Sequence, residues 1–375
     1  MSDHLSPSAI PTAPRRHRLP PGVRARITRV LLALLAFVLI APLVPYAAAT
    51  LGPGNVPNPG AGLWNEVRQR AGPSDAQTQA RGVESPVLIN QVGEQWQQFR
   101  SEMLVPAGAW LLLGTLAFLA LFRILRGRIP LEGGRSGELV PRFSVNQRVV
   151  HWFAAILFVF LAVTGLILLY GRFVLIPLLG PEGFSATAAA AKEGHNLFGP
   201  IFPFAVLALL VLFLRGNAFN WVDVKWFFKA GGLLKGHPAS SGYYNGGQKS
   251  WFWLVVLFGI AISVSGLILD FGVLGQGREV MALAHVVHGA VAIVFIAASL
   301  GHIYIGTIGM EGAFESMSHG YVDANWAREH HDLWLAEMEA AGMVGVEPNA
   351  LEEVKRHDNI DFKGFGSPGR KAVEG

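Results

Sequence analysis

Imidazoles at a spacing of fourteen are the chemistry-bearing feature of this chain. His288 and His302 are fourteen residues apart, which in an α-helix is about 1400° of turn, about 40° short of four full turns. Both side chains then leave one helix face, roughly 21 Å apart along the axis. His151 and His195 lie in or beside other apolar stretches, and His285 lies in the same one as His288, among twelve histidines in all. Cysteine is absent, which excludes disulfides, thiolate nucleophiles, cysteine-held iron–sulfur clusters and covalent c-type haem attachment. Two imidazoles facing each other across a helical bundle can clamp an iron porphyrin axially. Zinc or copper is the rival for a single pair, but zinc prefers tetrahedral closure with more ligands, and no Cys or local Asp/Glu completes a site. With both axial positions filled by histidine, such a haem carries electrons and does not activate oxygen.

The elements that must position these residues are membrane spans. The 375 residues are 51% hydrophobic and only 15% charged, with a mean hydropathy of +0.39. Soluble chains carry about 25% charged residues, so a membrane protein is expected rather than two or three soluble domains. Five stretches free of Asp, Glu, Lys and Arg are near the length of ~20 residues that a bilayer requires: Met103–Phe122, Val149–Gly171, Asn196–Leu214, Trp251–Leu269 and Val280–Met310. An earlier stretch, Val30–Ala49, follows Arg24, Arg26 and Arg29 and ends in small residues. It reads as a signal peptide cleaved near Ala49, or as an uncleaved anchor.

Charge placement sets the expected orientation. The connections 123–148 and 215–249 hold eleven Lys and Arg, whereas the alternate connections hold Arg172, Lys192 and Arg278. The expected organisation is a signal or anchor at 1–49, a periplasmic segment at 50–102 and an additional transmembrane helix at 103–122. A cytoplasmic loop at 123–148, a four-helix core at 149–310 and a cytoplasmic tail at 311–375 follow. This describes an all-α, multi-pass membrane protein, its C-terminus cytoplasmic. Followed through the spans, His195 and His288 fall at the outer level, and His151 and His302 at the inner one. His285 lies about 100° off the face of His302 and reads as a neighbour bonding a propionate or a carbonyl. Gly165, Gly266, Gly289 and Gly301 leave room for a macrocycle or for close helix packing.

Residues Trp221–Lys229 read as an interfacial helix, and 87–99 as a small folded piece or docking strip. The tail from Glu311 is mixed in charge, with a loose end expected. His330 and His331 either form a proton-entry cluster or dock the tail. No repeat, phosphate loop or dinucleotide fingerprint is present, and nothing points to nucleic acid.

Five strings carry a family resemblance: Arg148-Val-Val-His151-Trp152, Gly194-His195 through Phe198-Gly199, Tyr244-Asn-Gly-Gly-Gln-Lys249, His288 with His302, and Trp326-Ala-Arg-Glu-His-His331 with Trp334. Together they resemble the cytochrome b (gamma) subunit of membrane-bound respiratory formate dehydrogenases. The resemblance implies a four-helix di-haem cytochrome b bundle with two haem b groups, held by His195 with His288 and by His151 with His302. It implies an iron–sulfur beta subunit and a molybdenum or tungsten pterin alpha subunit that oxidises formate, with quinone (ubiquinone or menaquinone) as the acceptor in the bilayer. The 50–122 extension, outside the shorter family members, is expected to dock the iron–sulfur partner.

The string Asn245, Gly246, Gly247, Gln248 and Lys249 offers polar groups near the inner level. Asn245 and Gln248 can donate to a quinone carbonyl, the glycines allow close approach, and Lys249 or Arg148 can balance propionates or a quinol anion. From composition alone, a polar turn capping a helix is the equal alternative. The resemblance favours the quinone site, with Asn245 as a carbonyl partner. The same bundle plan could serve a nickel–iron hydrogenase or another periplasmic molybdoenzyme. A haem-free transporter or scaffold is disfavoured, because no charged residue lies within the five spans.

Overall fold

The computed structural model describes residues 91–232, 239–271 and 276–345. The expected signal or anchor at 1–49, the outer segment before residue 91 and the tail end beyond residue 345 lie outside these residues. Among the described residues, five helical stretches are long and apolar enough to cross a membrane: Val92–Arg126, Val145–Val174, Ile176–Phe213, Gly246–Asp270 and Arg278–Gly309. The chain is a multi-pass helical membrane protein.

The first span joins α1 (Gln91–Gln98) to α2 (Val105–Arg126) through a π-helical turn, Phe99–Leu104. Then come α3 (Val145–Val174), α4 (Ile176–Phe198) and α5 (Phe202–Phe213), the last two joined by a 3₁₀ turn at Gly199–Ile201. The expected connection between the second and third spans is itself mostly α4. It is broken only at Gly180, where φ is +74°, ahead of Pro181, which has no N–H to continue the helix. A short helix α6 (Trp221–Phe228) lies where the interfacial helix was expected. The last two spans are α7 (Gly246–Asp270) and α8 (Arg278–Tyr304).

Three of these helices start with reciprocal capping boxes: Ser144 with Gln147 on α3, Asn220 with Asp223 on α6, and Asn245 with Gln248 on α7. Each satisfies two backbone groups that a helix start leaves unpaired. Helix α3 packs on α4 and α5, α5 on α7, and α7 on α8, forming a helical bundle. Its middle is filled by Ala154, Leu157, Phe198, Phe202, Ala205, Val206 and Phe295. The additional helix α2 lies against α8, with Leu104, Leu112, Ile293 and Ala297 as the shared core. A Cβ at Gly108 would come within 2.5 Å of Ile293, and one at Gly289 within 2.9 Å of Leu104. Gly289 therefore admits the neighbouring helix, the packing alternative of its sequence reading.

The tail from Glu311 is folded as far as the described residues run. Strand β1 (Leu139–Pro141) pairs antiparallel with β2 (Tyr321–Asp323), placing Val140 opposite Val322. Short helices α9 (Ala313–Ser318), α10 (Ala324–His330) and α11 (Asp332–Ala340) complete the tail. Val140, Val322, Trp326, Trp334 and Met338 form a separate small core. Hydropathy along the chain did not suggest these two strands, because each is three residues long.

Candidate functional site

Helix α8 carries His288 and His302 toward two different partners. The ring of His288 faces that of His195, from the last turn of α4, with centroids 6.1 Å apart. The ring of His302 faces that of His151, from the second turn of α3, at 6.3 Å. The pairs in contact are those expected from helix rise. His285 turns aside and bonds its own helix, Nδ1 to the Met281 carbonyl at 2.8 Å, with its ring against Trp96.

The first pair is pinned by hydroxyls that sequence reasoning missed. Thr164 Oγ1 lies 2.9 Å from the Phe160 carbonyl, which can only accept, so the hydroxyl proton goes there. The same oxygen, 2.8 Å from His195 Nδ1, then accepts that ring's N–H. Ser265 repeats the arrangement on α7: its hydroxyl donates to the Ala261 carbonyl at 2.7 Å and accepts from His288 Nδ1 at 3.2 Å. The Ile262 carbonyl, at 3.1 Å, is a second acceptor for His288 Nδ1. Both rings are thereby held as the Nδ1–H tautomer, with the lone pair on Nε2.

Each of these hydroxyls precedes a glycine. The nearest atom to a Cβ built on Gly165 is His195 Cε1 at 3.4 Å, and to one on Gly266 it is His288 Cε1 at 3.1 Å. These glycines were expected to make room for a macrocycle; what comes closest is the imidazole itself. The Thr-Gly and Ser-Gly pairs, each inside an apolar helix, were the available signal.

The second pair has a different surround. Trp251 stacks on His302 at 4.5 Å with only 12° between planes, and Trp152 meets His151 edge-on at 5.2 Å. His151 Nδ1 is buried with no hydrogen-bond partner among the described residues. Between the two levels, Phe295 packs on Phe158 at 4.6 Å and touches Trp251.

The proposed ligand string sits at the end of the bundle nearer the second pair. Asn245 Oδ1 accepts from the Gln248 N–H at 2.9 Å, and Gln248 Oε1 accepts from the Asn245 N–H at 3.2 Å. Lys249 is buried, its ammonium 2.7 Å from Asp223 Oδ2 on α6. Cβ atoms at Gly246 and Gly247 would each come within 3.0 Å of the Trp226 ring, so the ring these glycines admit is that indole. Arg148 donates from Nη1 to the Ser318 carbonyl at 2.9 Å.

Arg142 joins this end to the tail. It is 6% exposed and donates from Nη2 to the Tyr243 carbonyl at 2.8 Å, to His331 Nε2 at 3.1 Å and to Gln248 Oε1 at 3.4 Å. The rings of Phe143, Tyr243, Trp326 and Trp334 surround its guanidinium at 4.8 to 5.3 Å. Burial lowers Arg142 to about 10, so it remains a cation at neutral pH. His331 is fully buried, and its Nδ1 donates to the Gly242 carbonyl at 2.8 Å. Burial and Arg142 push its pKa well below the ordinary histidine value. Of the two sequence readings for His331, the structure shows docking.

A sequence profile of the prokaryotic cytochrome b561 family matches residues 142–320. The nitrate-inducible formate dehydrogenase cytochrome b556(Fdn) subunit of Escherichia coli K12 is 27% identical over 212 residues, covering 54% of this chain and 94% of that protein. The cytochrome b556(fdo) subunit of the same organism is 26% identical over 205 residues, with the same shares covered. The formate dehydrogenase cytochrome b556 subunit of Haemophilus influenzae is 28% identical over 233 residues, 60% of this chain and 95% of that protein. This chain resembles a formate dehydrogenase cytochrome b subunit. The profile match begins at Arg142 and takes in all four paired histidines, whereas α1 and α2 precede it.

The donor set of the cytochrome b-like core fits an axially held iron. A metal–imidazole bond of about 2.0 Å, with the ring centroid about 1.1 Å behind its nitrogen, puts two opposed rings about 6 Å apart. Both pairs have that separation, and no hydrogen bond joins the two rings of either pair among the described residues. No group of three or more His, Cys, Asp or Glu able to hold a metal occurs there, which disfavours tetrahedral zinc.

Proposed function

We propose that this chain is the electron-carrying cytochrome b subunit of a formate dehydrogenase complex. Its two haem b groups are each held by two histidines, His195 with His288 and His151 with His302. The observation that carries this reading is the pair of ring separations, 6.1 and 6.3 Å, at two levels of one helix. The bound haem supplies one-electron transfer. The protein holds the His195 and His288 rings in the ligating tautomer, sets the His302 ring by stacking on Trp251, and keeps the space between levels apolar.

In this reading the His195/His288 level faces the periplasm and receives electrons from an iron–sulfur beta subunit fed by a molybdenum or tungsten pterin alpha subunit. The His151/His302 level faces the cytoplasm beside the Asn245–Gln248 cap, where a membrane quinone takes two electrons and two protons to become quinol. The excess of Lys and Arg in the 123–148 and 215–249 connections supports that orientation. Asn245 and Gln248 contact the quinone; Gly246, Gly247, Lys249 and Arg148 hold the frame, since their closest partners are within the protein. The 50–122 extension docks the iron–sulfur partner.

Reduced-minus-oxidised spectra of the purified chain test the reading, with two b-type components expected. One component, or none, would overturn the di-haem assignment. Loss of the complex on deleting residues 50–122, with both haems retained, is the outcome expected for the docking role.

A further inference from the structure

The three capping boxes differ in what is left over. On α3, Gln147 uses its amide NH₂ on the Leu212 carbonyl at 3.2 Å. On α6, Asp223 takes the Lys249 ammonium. On α7, both amide oxygens are consumed: Asn245 Oδ1 and Gln248 Oε1 each face a backbone N–H, and Gln248 Oε1 also faces Arg142 Nη2. A backbone N–H and a guanidinium can only donate, so neither amide can turn its NH₂ inward. No hydrogen bond takes up Asn245 Nδ2 or Gln248 Nε2 among the described residues, and both residues are half-buried. The cap therefore presents hydrogen-bond donors and no side-chain acceptor.

Charge points the same way. Lys249 is neutralised by Asp223, whereas no carboxylate pairs with Arg142 among the described residues. A positive charge behind Gln248 strengthens its outward N–H groups as donors and favours negative charge on an oxygen in front of them.

We propose that the Asn245–Gln248 cap is a donor-only mouth. It takes the carbonyl of an oxidised quinone in preference to the hydroxyl of its quinol, and Arg142 is the positioning residue that keeps the Gln248 oxygen turned inward. A quinone oxygen offers lone pairs and no proton, which matches two donors. A quinol hydroxyl carries a proton that finds no acceptor on either amide, and an unmet polar group in a half-buried site weakens binding. The site thereby binds the oxidised ring and releases the reduced one. This rests on the quinone reading of the preceding subsection.

The test uses the full-length chain purified with both haems. Stopped-flow oxidation of pre-reduced haem by a short-chain ubiquinone or menaquinone analogue gives the half-saturating quinone concentration. Reduction of oxidised haem by the matching quinol gives that of the quinol. Gln248→Glu keeps the capping box, since Glu serves the same position, but turns a carboxylate oxygen outward. The half-saturating quinone concentration should rise about tenfold, the worth of one hydrogen bond, while that for quinol stays level or falls. Arg142→Gln should shift the ratio in the same direction by less, and Arg142→Lys should restore it.

Equal changes for quinone and quinol in Gln248→Glu would overturn the donor-only mouth. A ratio unchanged in Arg142→Gln would overturn the positioning role. If Asn245→Ala and Gln248→Ala alter neither concentration with both haem bands intact, quinone does not bind at this cap, and the parent reading fails with the inference.

Discussion

The two histidine pairs share one helix and one ring separation, yet they are held by different physics. His195 and His288 are fixed by hydrogen bonds to Thr164 and Ser265, with glycines letting each ring lie against the opposite helix. His151 and His302 are fixed by aromatic packing on Trp152 and Trp251, and His151 keeps a buried Nδ1 without a partner. A hydrogen bond to Nδ1 selects a tautomer and raises the basicity of the ligating nitrogen; stacking sets the ring plane and does neither. In the proposed di-haem reading, the first pair is prepared for its ligand electronically and the second sterically.

The largest expected effect separates the levels outright. His288→Ala should abolish one b-type component and halt electron flow beyond it, whereas His302→Ala should abolish the other and leave the first reducible. If both variants lost the same spectral component, the two-level assignment would fall.

Next in size is Thr164→Val, which removes the hydroxyl acceptor of His195 without changing side-chain volume. Haem retention at that level should weaken by about 10- to 100-fold, as for other partners of a metal-bound histidine. The surviving haem should titrate at a higher potential, because a less basic imidazole stabilises the oxidised iron less. Ser265→Ala should act in the same direction but more weakly, since the Ile262 carbonyl remains as an acceptor. Redox titration followed at the b band measures both, and equal effects would show that the carbonyl carries no load.

Trp251→Leu should leave the potential of the first level unmoved. At the second level it should broaden the axial-ligand signal and cost about 1 kcal/mol of stability, the worth of one aromatic contact. Low-temperature electron paramagnetic resonance would read the ligand geometry, and a change confined to the first level would contradict the division drawn here.

The smallest effect concerns the tail. His331 is neutral in the folded clasp, with its pKa pushed down, while an undocked tail carries it near the ordinary value of about 6.5. The undocked form then binds an extra proton as pH falls, so docking is at full strength above about pH 6.5 and weakens below it. Hydrogen-exchange protection of α10 and α11, corrected for the slower intrinsic exchange at lower pH, should fall between pH 7 and 5.5, and His331→Phe should flatten that dependence.

Particular residues show how far the amino-acid order reaches. The spans, a helix at Trp221 and the placing of His288 and His302 on one helix opposite two different histidines were legible because hydropathy and helical rise are local properties of a chain. Gly246 lies against the rings of Trp226 and Phe227, and Gly247 against Trp226, contacts no spacing rule anticipates. Lys249 likewise had an unforeseen partner in Asp223, 26 positions away.

What the residues alone determined is therefore a set of apolar helices of spanning length, with four imidazoles distributed along them and cysteine absent. Only the packed bundle decided that Thr164 and Ser265 hold the first pair, across 31 and 23 positions, and that Arg142 meets His331 across 189. The reason is range: turn and rise accumulate along a single helix, whereas a hydrogen bond between helices exists only after their faces have been matched by packing.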